Sequence, residues 1–371
     1  MYTYKDTRYK NKRRKMKVVI GMSGGVDSSV AAALLKKQGC QVSGVTMKIW
    51  DGKMAEEKTR HACYGPEEEE DIEDARKVSQ ILGIPFHTFD LRQEYKSQVL
   101  DYFCREFLLG RTPNPCLRCN GKVKFDALLT RVRDSGIEFD YFATGHYARV
   151  EYSKERNRYL LKKAIDLSKD QSYFISFLSQ QQLGHSLFPL GSYTKDEVRK
   201  MALDFGLDVA DKPESQDFIA GGYRSVVKAA PPGPILDNEG NILGEHRGIP
   251  FYTIGQRKGL GISDKEPLYV TGINPETNSI TVGNKEELYQ DELIASGLNW
   301  IAIEKLEQPI KVRAKIRYAH PEAGAEVTPL TEDKVYVKFK EPQMAVTPGQ
   351  AVVFYQEDTV VGAGTIERTG K

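Results

Sequence analysis

The stretch "KVVIGMSGGVDSSVAAALLKKQ", residues 17–38, decides the fold class. Lys17–Ser23 is a short β-branched run that reads as a buried strand. Asp27–Gln38 opens with a residue suited to capping a helix and continues with helical apolar spacing. Between them, "GMSGGVDSS" at 21–29 places paired glycines where the strand hands over to the helix. Such a turn lets the backbone approach an anion closely, and the helix N-terminus adds N–H groups and a positive dipole end. Ser23, Ser28 and Ser29 add hydroxyl donors. No lysine stands at the Walker A position, so this is not the phosphate loop of a γ-phosphate hydrolase.

Working outward, the strand–helix alternation continues. Gln41–Met47 reads as a second strand, and Glu70–Leu82 carries Ile72, Ala75, Val78 and Leu82 on one helical face. "PFHTFDL" at 85–91 and "FDYFATGH" at 139–146 extend the pattern. Strands alternating with helices imply βαβ units and a doubly wound parallel sheet, an α/β fold. The acidic run Glu67–Asp71 reads as a solvated helix start, favoured by the dipole.

Beyond Pro213 the pattern changes. Residues 229–262 are rich in turn signals, and from Leu268 the segments become short and alternating, as in "KVYVKFK" (334–340) and "AVVFYQED" (351–358). The expected organisation is a basic N-terminal arm (1–15), an α/β nucleotide-binding domain (16–212), a small central α+β linking domain (213–287) and a C-terminal antiparallel β-barrel (288–371).

The 371 residues suffice for two or three domains with real cores. Hydrophobic residues at 40% and charged residues at 28% describe an ordinary globular chain, and no run approaches the roughly 20 apolar residues of a membrane span. The net charge is only +2, so a nucleic-acid surface has to be a local patch. Five cysteines, Cys40, Cys63, Cys104, Cys116 and Cys119, are too few and too odd in number for a secreted disulfide framework. A reducing, cytoplasmic setting is expected, where the CxxC spacing of Cys116 and Cys119 signals metal or thiol chemistry.

Seven blocks occur in order: "GMSGGVDSSVAAALL" (21–35), "TPNPCLRCNGKVKF" (112–125), "ATGHYARV" (143–150), "KDQSYFISFLSQ" (169–180), "KPESQDF" (212–218), "YTIGQRKGLGI" (252–262) and "KIRYAH" (315–320). The SGGVDS string resembles the PP-loop of ATP pyrophosphatases, and the ordered set resembles the tRNA-specific 2-thiouridylase family. That resemblance implies ATP and Mg²⁺ as cofactors and tRNA as partner, with a wobble uridine of Lys-, Glu- or Gln-type tRNAs as target. It implies that the C2 oxygen is adenylated, then displaced by sulfur from a donor protein or sulfide. No membrane partner is expected.

Carried over by position, Gly21, Met22, Ser23, Gly24, Gly25, Val26, Asp27 and Ser28 would bind the ATP phosphates, Asp27 assisting the Mg²⁺–pyrophosphate arrangement. Met47 would line the adenine pocket, and Gly145 would touch the nucleotide. Asn114, Pro115 and Cys116 match the target-base loop, and Cys119 matches the nucleophile. His146, Lys169, Asp170, Gln171, Arg317, Tyr318 and Gln350 match tRNA-contacting positions. Extruding an anticodon base and holding it by stacking and edge contacts requires such a set.

Two departures stand out. The family's loop reads Asn-Pro-Asp-x-x-Cys, whereas this chain has Cys116 for the aspartate. The family's second catalytic cysteine falls where this chain has Ile219. Two repairs are open: Cys116 replaces the missing partner of Cys119 in a dithiol cycle, or Cys63, Cys116 and Cys119 hold a [4Fe-4S] cluster, with His61 as another candidate ligand. A structural zinc site is the third option. Beside the thiolating enzyme stand two alternatives: a PP-loop ligase or amidotransferase on a small metabolite, and a non-catalytic tRNA-binding or sulfur-carrying protein.

Overall fold

The computed structural model describes residues 15–52, 62–208, 217–220, 222–227, 230–262 and 266–369. The basic arm before Lys15, His61 and most of the "KPESQDF" block lie outside them. The chain forms two compact units. One comprises the described residues of Met1–Val99, Cys116–Gly222 and Asp358–Val360, the other those of Leu100–Pro115, Tyr223–Glu357 and Val361–Lys371.

The first unit is built on β1 (Lys17–Gly21), α1 (Val26–Lys37), β2 (Gln41–Lys48), β3 (Ala62–Tyr64), α2 (Glu68–Ile81), β4 (Phe86–Asp90) and β5 (Tyr141–Ala143). It continues with the hairpin β6 (Ala148–Ser153) and β7 (Arg158–Lys163), then β8 (Ser186–Leu187) and β9 (Asp217–Ile219). Five strands make a parallel sheet in the order β4-β2-β1-β5-β8. Central β1 is buried over Val18, Val19 and Ile20, as a parallel strand covered on both faces must be. Helix α1 buries Val26 and the whole run Ser28–Leu35. Small Ser and Ala side chains let the helix lie close to its neighbours, and each fully buried leucine adds roughly 1.5–3 kcal/mol.

In the second unit, β10 (Gly233–Leu236), β11 (Ile242–His246), β12 (Tyr269–Asn274) and β13 (Ser279–Gly283) form a four-stranded sheet. It closes over Ile235, Tyr252, Leu260, Val270, Ile280 and Val282. Strands β14 (Tyr289–Trp300), β15 (Ile310–Lys315), β16 (Ala323–Thr331), β17 (Lys334–Met344), β18 (Ala351–Gln356) and β19 (Thr359–Thr369) run in the order β14-β17-β16-β15-β18-β19. β19 pairs back onto β14, which closes the barrel and removes its edges. No helix among the described residues is long and apolar enough to cross a membrane.

Candidate functional site: a glycine cradle and a thiol face

Open α/β sheets bind ligands beyond the carboxyl ends of their strands. Here the ends of neighbouring β2, β1 and β5 carry Met47, the 22–25 loop and Gly145 respectively. The loop is fixed by Met22 N–H donating to the Val45 carbonyl at 2.8 Å and Ser23 N–H donating to Ser28 Oγ at 3.2 Å. Gly24 has φ +70°, and a Cβ there would lie 2.3 Å from the Asp71 carbonyl oxygen. A Cβ on Gly145 would lie 2.7 Å from Ser28 N, so glycine is what lets β5's exit approach the start of α1. Met47 is half-buried, in register with Phe89.

Two local expectations are corrected. The N-cap of α1 is Gly25, which has no side chain to offer, so the first-turn N–H groups are left to a ligand. Asp27 lies inside the first turn, and both its oxygens stand 2.9 Å from Lys195 Nζ, while Tyr147 OH donates to Oδ1 at 2.8 Å. Nor is the acidic run merely solvated. Glu68 is buried because its Oε1 accepts the N–H groups of Ile49 (2.7 Å) and Trp50 (2.9 Å), just past the end of β2. Burial raises its pKa, and Oε2 has no hydrogen-bond partner.

The thiol loop is a helix, Pro115–Cys119, that runs into a π-helical segment, Asn120–Ala127. Proline is suited to the first helical position, where its missing N–H costs nothing. Cys116 and Cys119, three residues apart, share a helical face and are both half-buried. Burial, with the charge of Cys63 second, pushes the Cys116 thiol up to about 12. Burial pushes Cys119 up to about 11, opposed by the Lys124 ammonium. Lys124 lies within the π segment, five residues after Cys119. Burial works against the Lys124 charge, yet Cys119, Cys63 and Cys116 together hold its pKa above the ordinary value.

The π segment is gripped from outside. Gln182 Nε2 donates to the carbonyls of Gly121 (3.2 Å) and Phe125 (3.1 Å), while its Oε1 accepts Ser179 N–H in a capping box. Asn120 Nδ2 donates to the Phe174 carbonyl at 2.9 Å. The segment that follows "KDQ" therefore holds the thiol helix in place.

Cys63 is exposed on β3, between buried Ala62 and Tyr64. β3 pairs in parallel with β9, Tyr64 opposite Ile219, and Ile219 is fully buried. Tyr64 stacks on buried Tyr95 at 5.4 Å, and Tyr95 feels the charges of Cys119, Cys63 and Cys116. The charges of all three thiols thus act on the same buried phenol. Among the described residues, however, no group of three His, Cys, Asp or Glu is placed to hold a metal ion, and none of the cysteines is in a disulfide. His61 lies outside the described residues. Cys40 is half-buried, and Cys104 Sγ donates to the Val226 carbonyl at 3.2 Å.

The remaining sequence-predicted positions fall in both units. In the first, His146 Nδ1 and Thr144 Oγ1 are 2.7 Å apart, and burial plus the Lys124 charge push the imidazole down to about 3. Asp170 is buried and accepts from Ala164 N–H (2.9 Å) and Ser172 Oγ (2.7 Å), so it shapes the turn that presents half-buried Lys169. Gln171 Oε1 accepts Tyr147 N–H at 3.0 Å. In the second, half-buried Asn114 and buried Pro115 lead into the thiol helix, and Gln350 Nε2 donates to the Thr112 carbonyl at 2.8 Å. Arg317 and Tyr318 lie in the turn after β15, not on the strand; Arg317 Nη2 donates to the Met344 carbonyl at 3.1 Å, and Lys315 sits over the Tyr318 ring.

Sequence reasoning missed Lys195, Tyr147, Glu68, Lys124 and Gln182. Lys124 and Tyr147 stood inside quoted blocks and Glu68 inside the acidic run, whereas Lys195 and Gln182 carried no signal.

Comparison with known proteins divides the chain into three matched segments. Residues 16–220 match the family described as "tRNA methyl transferase HUP domain", 223–284 the "tRNA methyl transferase PRC-barrel domain" and 290–366 the "Aminomethyltransferase beta-barrel domain". The chain is 52% identical over 363 residues to "tRNA-specific 2-thiouridylase MnmA 1" of Caldanaerobacter subterraneus subsp. tengcongensis, covering 95% of this chain and 98% of that protein. It is 48% identical over 357 residues to "tRNA-specific 2-thiouridylase MnmA" of Endomicrobium trichonymphae, covering 95% and 99%.

Proposed function

Since the chain belongs to the tRNA-specific 2-thiouridylase family, we infer that it replaces the C2 oxygen of a tRNA uridine with sulfur, using ATP. The observation that carries this reading is the glycine cradle, whose Gly24 and Gly145 have no room for a Cβ and whose α1 N-terminus is capped by no side chain. Donors at that terminus suit a polyphosphate, and Lys195, held on Asp27, adds a fixed positive charge beside them. Mg²⁺, when bound, would neutralise charge on the phosphates, with Asp27 the residue nearest to hand.

The C2 oxygen attacks the α-phosphate, and pyrophosphate leaves into the cradle. A sulfur nucleophile then attacks C2, the C2–O bond breaks, and AMP departs with the electron pair. Cys119 carries the sulfur, and Cys116, on the same helical face, closes a disulfide with it as 2-thiouridine is released. An external thiol reductant restores the pair. The substrate is the wobble uridine of Lys-, Glu- or Gln-type tRNAs; its candidate contacts are Cys116, His146, Lys169, Asp170 and Gln171 in the first unit and Asn114, Pro115, Arg317, Tyr318 and Gln350 in the second, and the sulfur comes from a persulfide-bearing donor protein.

A second reading draws on the shared electrostatic neighbourhood of Cys63, Cys116 and Cys119: a [4Fe-4S] cluster on these three residues. Among the described residues the side chains are not grouped to hold a metal, which favours the dithiol cycle.

The test is purified protein with tRNA, ATP and glutathione persulfide. AMP, pyrophosphate and 2-thiouridine should appear in equal amounts and only with RNA. AMP formed without RNA would transfer the assignment to a small-metabolite ligase, and tRNA binding with no AMP to a non-catalytic carrier.

A further inference from the structure

The loss of the usual second cysteine leaves the sulfur without a receiving thiol, because Ile219 is buried and chemically inert. The strand that pairs with that segment supplies one. We propose that Cys63 is the sulfur-receiving residue, taking a sulfane sulfur from a donor persulfide and passing it inward to Cys119. The proposal rests on the sulfur-transfer reading above and assigns its first step.

Three observations place Cys63 there. β3 is locked to β9 by its parallel register, and the Ala220 N–H donates to the Tyr64 carbonyl at 3.0 Å. A Cβ on Gly65 would lie 2.8 Å from Ala220 Cβ, so the chain passes this segment at the closest approach glycine allows. Alternation along β3 then turns Cys63 away from buried Ala62 and Tyr64 and leaves it exposed. A macromolecular donor can reach an exposed thiol; Cys116 and Cys119 are half-buried. The Tyr64–Tyr95 stack at 5.4 Å ties β3 to the buried ring on the helix Arg92–Tyr95, and the charges of Cys119, Cys63 and Cys116 all act on that ring's hydroxyl in the same direction.

The chemistry needs no external oxidant, because the sulfane sulfur itself oxidises the inner pair to a disulfide, and a thiol reductant enters only at the last step. The Cys63 thiolate attacks the outer sulfur of the donor persulfide; that S–S bond breaks and the electron pair leaves on the donor's thiolate. Cys119 attacks the outer sulfur now on Cys63, and the electron pair returns to Cys63 Sγ. The outer sulfur on Cys119 attacks C2 of the adenylated uridine, expelling AMP. Cys116 then attacks Cys119 Sγ, the electron pair moves to the thiouridine sulfur, and the Cys116–Cys119 disulfide is reduced by a thiol. Lys124 lies where negative charge gathers on the inner pair.

Two measurements decide it. The full chain bearing Cys116→Ser and Cys119→Ser, treated with glutathione persulfide without ATP or tRNA, should gain one reducible sulfur on the peptide containing Cys63. With the inner pair intact, Cys63→Ser and Cys63→Ala should both lower thiolation from glutathione persulfide about a hundredfold, while tRNA-dependent pyrophosphate release stays within about twofold of wild type. Wild-type thiolation in either variant, or no sulfur on Cys63, overturns the proposal. So does iron that binds in wild type and is lost with Cys63→Ser. Absent pyrophosphate release in wild type would instead overturn the thiolation reading, and the persulfide measurement still decides Cys63 because it needs neither ATP nor RNA.

Discussion

The glycine cradle and the thiol face sit in the same unit, yet they are built on opposite terms. The cradle is backbone: its donors are amides, its fit is set by glycines, and its shape is held by Ser23 and Ser28 hydrogen-bonding back onto the loop. The thiol face is side chain: Cys63, Cys116, Cys119 and Lys124 come from a strand, a helix and a π segment, and Gln182 and the Phe174 carbonyl hold the π segment from elsewhere. A site made of backbone is written in one contiguous string. A site made of side chains from three segments is spread over the chain, and the strand bearing Cys63 reaches it only by pairing with the strand that carries Ile219.

That contrast predicts separable failures. The largest should come from Cys119→Ser, which should abolish 2-thiouridine formation by about a thousandfold or more yet leave tRNA-dependent pyrophosphate release; loss of both together would tie the two regions into one. Next, Lys195→Met should cut pyrophosphate release about a hundredfold, because the Asp27 carboxylate loses its ammonium and the loop its fixed charge. Unchanged release would reduce Lys195 to a structural partner.

A smaller effect is expected on the thiol side. Lys124→Gln should slow sulfur transfer about tenfold or more with adenylation unchanged, and Lys124→Arg should recover most of it; a general fall in both steps would mark a folding defect. Gln182→Leu should cost about 1–3 kcal/mol in urea unfolding, since it strands the Gly121 and Phe125 carbonyls. The last effect, on pH dependence, concerns His146. Its native imidazole titrates at about 3, whereas the unfolded chain takes up that proton near pH 6.5. The unfolded state therefore binds the extra proton, and stability conferred by the neutral ring is present above pH 6.5 and lost as the pH falls toward 3. His146→Phe should flatten that part of the urea-midpoint profile, and an unchanged profile would show the proton goes elsewhere.

How much of this was legible follows from the same division. The β1–loop–α1 unit could be read almost residue by residue, because strand burial, glycine spacing and helical periodicity are local. The parallel sheet and the closing barrel followed from alternation. What the string hid were long-range partners: Lys195 lies 168 residues from Asp27, and nothing in "TKDEVRK" distinguishes it from a surface lysine. The acidic run misled because one of its five acidic residues, Glu68, turns inward to satisfy two amides at the end of β2. The π register at Asn120–Ala127 was invisible because its cause, the Gln182 amide, comes from another segment.

The central claim is that the cradle makes the uridine C2 oxygen a leaving group before any thiol acts on it. A tRNA substrate with ¹⁸O at the uridine C2 position tests this directly, by mass analysis of the AMP released during thiolation. The label should appear in the AMP phosphate, one atom for each 2-thiouridine formed. Unlabelled AMP alongside 2-thiouridine would contradict the account, because the oxygen would then have left by a route the glycine loop does not provide.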